Sequence, residues 1–459
     1  MSTTRQTTTD VRVWAIEPYK GKRGTTYRVC WSVGGKRRKE VRKTRALADA
    51  YRAELLTAAR RGEPFDLDSG LPVSLLPAEV GYSWFEHACD FVDARWALSA
   101  PRTRQSRADA LSTITPALMR AEPGRPPADE LRDALYGWAL ITNARTAGPP
   151  PERLAGAVKW LRDASLPLSA FKDATVAHAA LNALAVRADG TPAAATTIAR
   201  KRAVLYAALK YGVELGRLDS HPLDRVQWKA PKVAEAVDRR AVVNHARARA
   251  LLAAVRDQGE TGRHLEAFFG CMYYSALRPS EVVALRKSDL SLPAAGWGEL
   301  ALTTSDPSTA TQWTDTGERA ARQLKHRSRE EVRFVPTPPP LSALLQRHVD
   351  AFGTRPDGRL FWSPRGGPLA EAVYGRAWRE ARRRALSPEE VASPLAARPY
   401  DLRHAAVSTW LNAGVPATQV AEWAGHSVHV LLKVYAKCIL GQDEAARKRI
   451  ERALRDDDE

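Results

Sequence analysis

Arg403-His404-Ala405-Ala406, Trp423-Ala424-Gly425-His426-Ser427 and Lys433-Val434-Tyr435 fall within one stretch near the C-terminus. They place an arginine, a Gly-His pair and, nine residues after that histidine, a tyrosine. Upstream, Tyr273-Tyr274-Ser275-Ala276-Leu277-Arg278-Pro279-Ser280-Glu281 supplies a second arginine at the edge of an apolar helical stretch. Two arginines, a histidine and a tyrosine are what cleavage of a phosphodiester by a side-chain hydroxyl requires. The charge that grows on the pentacoordinate phosphorus must be held, and arginine suits this because its planar fork binds two phosphate oxygens and stays ionised. Donors aimed at that charge supply several kcal/mol. The nucleophile must lose a proton despite a reference pKa of about 10, and the leaving sugar oxygen must gain one.

Composition points the same way. The 459 residues carry a formal charge of +18, which predicts an acidic partner, most simply nucleic acid. Basic drift in an Arg- and Ala-rich chain is the bland alternative. The charge is clustered: residues 11–61 hold 15 Lys or Arg against 4 Asp or Glu, a net of +11. Clustering favours a dedicated electrostatic footprint. Cys30, Cys89, Cys271 and Cys438 are far apart and form neither a zinc pattern nor a disulfide framework. The polar start, with no apolar signal region, and the lack of a long apolar run predict a cytoplasmic protein with no membrane span. No Walker loop or nucleotide fingerprint competes, so neither a cofactor nor a metal is expected.

Residues 11–45 read as a small β-unit. Val11 to Ile16 and Thr26 to Val33 alternate apolar and polar, Gly34-Gly35 is a hairpin turn, and Lys36 to Lys43 makes a basic third strand. A helical stripe follows over Ala46–Arg60. Pro, Gly and Asp mark 63–80 as a linker. Helices resume at Trp84, and Thr196–Leu215 interleaves Arg200, Lys201 and Arg202 with an apolar face. The stretch 120–155, rich in Pro, Gly and Arg, reads as an insertion. Pro and basic residues mark a second linker over 229–240. Asn244 is a plausible N-cap, Gly298–Leu302 and Glu331–Pro336 look like strands, and the polar run Thr303–Arg322 between them is longer than a hairpin needs. The fold class expected is a multidomain, mainly α protein with small β-sheets. Its parts are a β-rich basic unit (1–62), a linker (63–80), a helical domain (81–228), a linker (229–240) and an α+β domain with a C-terminal helix (241–459).

The motif set resembles the catalytic domain of tyrosine recombinases, the phage-integrase family, well over residues 241–440 and more loosely before that. Ala276-Leu277-Arg278-Pro279-Ser280-Glu281 resembles the family's Thr-Gly-Leu-Arg-x-x-Glu run, Arg403 matches its second arginine, and Ala424-Gly425-His426-Ser427 matches its Leu-Gly-His-Ser. The resemblance implies that Arg278, Arg403 and His426 hold the phosphate. It also implies that Tyr435 attacks phosphorus to form a 3′-phosphotyrosyl ester, and that strands are cut and rejoined without ATP. Glu281 would hold the fork of Arg278, since an unpaired buried charge is costly; a structural Arg–Glu pair is the alternative. Lys325, the sole lysine between Lys287 and Lys433, matches the family's general acid, or else contacts a phosphate. Tyr400 stands where the family usually has His, and a phenol is a poor base near neutral pH. His404 is one residue from Arg403, a rotation of about 100° on a helix, and is read as structural.

The resemblance further implies an arm-type DNA-binding domain at 1–62, with Lys36, Arg37, Arg38 and Lys39 on DNA, and a core-binding domain that contacts the duplex through Arg200, Lys201 and Arg202. An integrase of a phage or mobile element follows, working as a homotetramer on double-stranded attachment-site DNA with an excisionase or DNA-bending protein as accessory. The helix Asp443–Leu454 would dock on a neighbouring protomer. A chromosome-resolving recombinase, a type IB topoisomerase-like enzyme and a DNA-binding protein with a decayed site stay open.

Overall fold

The computed structural model describes residues 7–21, 24–67, 69–75, 82–187, 189–233, 236–307, 309–318, 322–324, 331–435, 438, 447–448 and 450–451. The chain is mainly helical with small sheets and divides into several hydrophobic clusters. At the N-terminus the long strand Gly24–Val33 pairs antiparallel with Lys36–Arg42 along one side. Along the other side it pairs with Val11–Val13 and Glu17–Gly21, so the expected first strand ends at Val13 and an unforeseen strand follows it. Gly34 and Gly35 take φ +51 and +77 at the turn, the backbone of a type I′ hairpin. Helix Arg45–Arg60, capped by Thr44, covers the face that carries Val29, Trp31 and Val33. The segment expected as a linker is partly folded onto this unit. Phe65 is buried beside Leu55, Leu67 and Leu71 pack on the cluster, and the Trp31 indole donates to the Gly70 carbonyl at 2.5 Å. Four apolar side chains in that stretch, Phe65, Leu67, Leu71 and Leu75, outweigh its turn-forming residues.

The helical domain begins at Ser83, whose capping box with Glu86 starts helix Trp84–Ala94. The stretch 120–155 is no appended loop. Its helices Ala128–Ala134 and Thr142–Ala147 flank Leu135, Trp138, Leu140 and Ile141, all buried in the domain's core. Helix Pro101–Ile114 packs along helix Ala195–Glu214.

The polar run after Leu302 also finds its place here. Trp313, from the far side of the chain, is fully buried in the helical domain's core against Tyr136 and Trp96. Arg104, itself buried, donates to the Trp313 carbonyl at 2.9 Å and grips Asp315 with both nitrogens at 2.7 and 2.9 Å. The Trp96 indole donates to the same carboxylate. This strap ties the two large units together independently of the covalent linker. Trp313→Ala is expected to destabilise the protein by about 3–5 kcal/mol and to open residues 309–318 to protease. An unchanged urea midpoint and cleavage pattern would show that the strap carries no load.

The C-terminal unit is built around helix Gly259–Tyr274, whose Leu265, Phe268, Phe269, Cys271 and Met272 are buried. It packs against His245–Arg256, Pro339–Phe352 and Asp401–Asn412. Asn244 caps the first of these, accepting from the Arg247 amide at 2.9 Å. Strands Leu290–Ser291, Gly298–Leu302 and Arg333–Thr337 form an antiparallel sheet with the second in the middle. A separate small cluster gathers Ala276, Ala406, Val407, Leu411, Val420, Ala424, Leu431 and Tyr435. In the expected second linker, the Val237 amide donates to the Val434 carbonyl at 2.9 Å, next to that tyrosine. No described helix is long and apolar enough to cross a membrane. Most of the expected C-terminal docking helix lies outside the described residues.

Candidate active site

Arg278 opens helix Pro279–Ala284, just after a sharp turn at Ala276. Ala276 sits at φ +50, a left-handed conformation that costs a residue with a Cβ about 1–2 kcal/mol. The turn aims the Ala276 carbonyl at the guanidinium of Arg403, which donates to it. Arg403, on helix Asp401–Asn412, is fully buried and also donates to the Ala424 carbonyl at 2.5 Å. Arg278 donates to the next carbonyl, that of Gly425, at 2.7 Å. One backbone turn therefore clips both arginines. Gly425 ends helix Ala417–Ala424 with φ +64, and a Cβ there would collide with the Arg333 guanidinium and crowd that of Arg278. Glycine meets both demands.

Glu281 anchors the cluster. It accepts from Arg278 Nη1 at 2.7 Å and from both terminal nitrogens of Arg333 at 3.0 and 2.7 Å. Burial alone would raise its pKa, but the guanidiniums of Arg333 and Arg278 hold it down at about 2. Arg333 was not singled out from the sequence. The register of its strand does mark it: Arg333 is buried with Val335 while Phe334 between them is exposed, the inverse of a hydrophobic alternation. Three guanidiniums face one carboxylate, so the site keeps an excess of positive charge.

His426 follows the Gly425 turn. Its Nε2 lies 2.8 Å from Arg403 Nη2. A guanidinium only donates, so Nε2 accepts and the imidazole proton sits on Nδ1. That buried Nδ1 has no hydrogen-bond partner among the described residues. Burial first, then Arg403 and Arg278, push the His426 pKa down to about 3, so the ring is neutral. Tyr435 ends helix Val428–Tyr435 with its ring 6.1 Å from that of His426. Its side chain is fully buried, and burial pushes the phenol pKa up. Its hydroxyl lies 2.8 Å from Nδ1 of His404, the residue read above as structural. The helical rotation does turn His404 away from Arg403, and the tyrosine lies on that side.

Tyr400 is half-buried, with its ring 5.1 Å from His404. It lines a cleft of about 220 Å³ together with Arg278, Ser280, Asp306 and Tyr374. Arg102 of the helical domain lines the same cleft, so the cleft lies between the two units; this residue too was not foreseen. Lys325 lies outside the described residues, whereas Leu324 before it is buried in the core.

The basic residues proposed for DNA divide. Lys36, Arg37 and Lys39 are exposed on the N-terminal sheet. Arg38 is half-buried and donates to the Leu67 carbonyl at 2.8 Å. Arg200 and Lys201 both pair with Asp109 across the helix seam, and Lys201 is largely covered. Arg202 is half-buried. The 3.6-residue period that places a basic residue near an apolar stripe does not say which acid stands across the seam.

The arrangement brings an ionised, anchored pair of arginine forks and a neutral imidazole donor beside a tyrosine hydroxyl. Such a set of donors suits a tetrahedral anion, with a tyrosine hydroxyl nearby. The phage integrase family model matches residues 241–438. No curated protein matches. Among solved structures, a variant of the Tn1549 transposon integrase in complex with a circular intermediate DNA is 17% identical with a TM-score of 0.47, covering 68% of this chain and 96% of that one. The XerH site-specific recombinase bound to its difH substrate is 13% identical with a TM-score of 0.42, covering 78% and 95%. A lambda integrase tetramer bound to a Holliday junction is 15% identical with a TM-score of 0.42, covering 89% and 91%.

Proposed function

Starting from a chain that carries a domain of the phage integrase family at residues 241–438, we propose that it is a site-specific DNA recombinase that cuts and rejoins strands through a 3′-phosphotyrosyl bond at Tyr435. The observation that carries this reading is the clipping of Arg278 and Arg403 to one backbone turn beside His426 and Tyr435. The forks and the imidazole Nδ1–H take the non-bridging oxygens of the scissile phosphate. Tyr435 Oη bonds to phosphorus as the bond to the 5′ oxygen breaks, and Lys325 gives that oxygen its proton. The phosphodiester energy is kept in the tyrosyl ester, so the reverse attack by a 5′ hydroxyl reseals DNA without a nucleotide cofactor. Tyr400, a phenol beside Arg278, serves as a hydrogen-bond donor to phosphate.

The basic N-terminal sheet, with Lys36, Arg37 and Lys39 exposed, supports an arm-type domain over residues 1–62 and hence an integrase of a phage or integrative element. It acts as a homotetramer on its attachment sites, with an excisionase or DNA-bending protein setting direction. The test uses a nicked duplex selected from a random-sequence pool by covalent capture on the protein. Two copies of that duplex on a supercoiled plasmid are expected to exchange strands, giving deletion or inversion products. Relaxation without exchange would point to a topoisomerase-like enzyme, and failure to capture any duplex to a DNA-binding protein with a decayed site.

A further inference from the structure

We propose that His404 is the general base that takes the proton from Tyr435, a step that rests on the reading of Tyr435 as the nucleophile. The position the family usually fills with histidine holds Tyr400 here, and a phenol is a poor proton acceptor near neutral pH. The structure supplies an imidazole four positions on, one helical turn later and on the same helix face. His404 Nδ1 lies 2.8 Å from Tyr435 Oη, within the distance for direct proton transfer. The rings meet at 5.6 Å with an interplanar angle of 57°, a tilted pair joined by the Nδ1–Oη contact.

Other candidates are occupied. His426 carries its proton on Nδ1, because its Nε2 already accepts from Arg403, and its ring stands 6.1 Å from that of Tyr435. Arg278 and Arg403 are ionised and hold no free lone pair. Among the described residues His404 is the nitrogen base within hydrogen-bond distance of the tyrosine oxygen. The proposed state is the neutral tautomer with its proton on Nε2, in which the bond runs from Oη–H to Nδ1.

The surroundings keep the ring neutral. Burial first, with Arg398 and Arg403 adding to it and Asp401 opposing, pushes the His404 pKa down to about 4. The imidazole is therefore neutral at pH 7 and able to accept. Arg403 lies close enough to both rings to favour the tyrosinate over the phenol as the proton moves. In the step, the Oη–P bond forms and the P–O5′ bond breaks. The Tyr435 proton goes to His404 Nδ1, and the 5′ oxygen takes its proton from Lys325. The resulting imidazolium is stabilised by the anionic phosphotyrosyl group beside it, and it returns the proton to Oη when the strand is resealed.

The test measures the single-turnover rate of covalent adduct formation on the nicked duplex captured from the random pool. A general base contributes about 10²–10⁴-fold, so His404→Ala is expected to slow adduct formation at least about a hundredfold with duplex affinity retained. His404→Asn keeps a hydrogen bond to Oη but cannot take the proton, and it should be nearly as slow. It also carries the test should the Ala variant fail to fold. On the same duplex with a bridging 5′ sulfur, whose thiolate leaves without an acid, both variants should stay slow while Lys325→Ala recovers. Adduct formation by His404→Asn within about threefold of wild type would reduce His404 to a positioning role and overturn the proposal. Recovery on the sulfur substrate would also overturn it. If wild-type protein forms no tyrosyl adduct on any duplex, the reading of Tyr435 fails instead, a result distinct from either.

Discussion

Tyr435→Phe will bind the captured duplex as tightly as wild type and form no covalent adduct with it. The substitution removes one oxygen and leaves the ring packed among Ala276, Leu411, Val420 and Leu431. What is lost structurally is the hydrogen bond to His404, on the order of 1 kcal/mol. The arginine forks do not depend on the hydroxyl, because Arg278 is held by Glu281 and Gly425 and Arg403 by the carbonyls of Ala276 and Ala424. On the proposed mechanism, phosphate recognition and nucleophilic attack are thus separable. Adduct formation should fall at least about a thousandfold, as loss of one member of a catalytic unit does elsewhere, while the dissociation constant changes less than about twofold. Denaturing gels with mass spectrometry of the adduct, set beside a binding titration, decide the point. An adduct of wild-type yield in the Phe variant would move the nucleophile to another side chain.

What the sequence made legible follows from how local each signal is. The Gly425-His426 step to Tyr435, the Asn244 cap and the Gly34-Gly35 turn are set by residues a few positions apart, and each appears where its neighbours dictate. Arg278, Arg403, His426 and Tyr435 come together as the motif implies. The features that escaped reading depend on partners far along the chain. Arg333 gains its meaning from Glu281, 52 residues earlier. Trp313 finds its pocket beside Trp96, Arg104 and Tyr136 in another unit, so a polar run with one tryptophan looked like surplus loop. His404 was judged by its angle to Arg403, and helical geometry could not say that Tyr435 would return to that face. Lys201 looked like a free cation because Asp109 lies 92 positions away in sequence.

Glu281→Gln should be the most destabilising single change in the catalytic unit. Among the described residues Glu281 is the one carboxylate shared by Arg333 and Arg278, and it is essentially inaccessible. Breaking a buried pair by removing one partner costs about 3–5 kcal/mol, because the remaining charge is left uncompensated. Here two guanidiniums are left, with Arg403 nearby adding repulsion. The pH dependence follows from the same contacts. The folded Glu281 carboxyl titrates at about 2 against an ordinary 4.5. A depressed folded pKa gives stability that is complete above about pH 4.5 and lost as pH falls toward 2, a contribution on the order of 3 kcal/mol. Urea unfolding at pH 7 should show the deficit in the Gln variant, and the gap to wild type should narrow as both are taken to pH 3. A gap below about 1 kcal/mol at pH 7 would mean that desolvation had cancelled the attraction. Arg333→Met tests the asymmetry of the cluster. It removes a fully buried cation but leaves Glu281 paired with Arg278, so it should cost less than Glu281→Gln. It should also preserve the Arg278 fork, and with it adduct formation, to a greater degree. Equal losses from the two variants would mean that Arg333, and not Glu281, holds the fork in place.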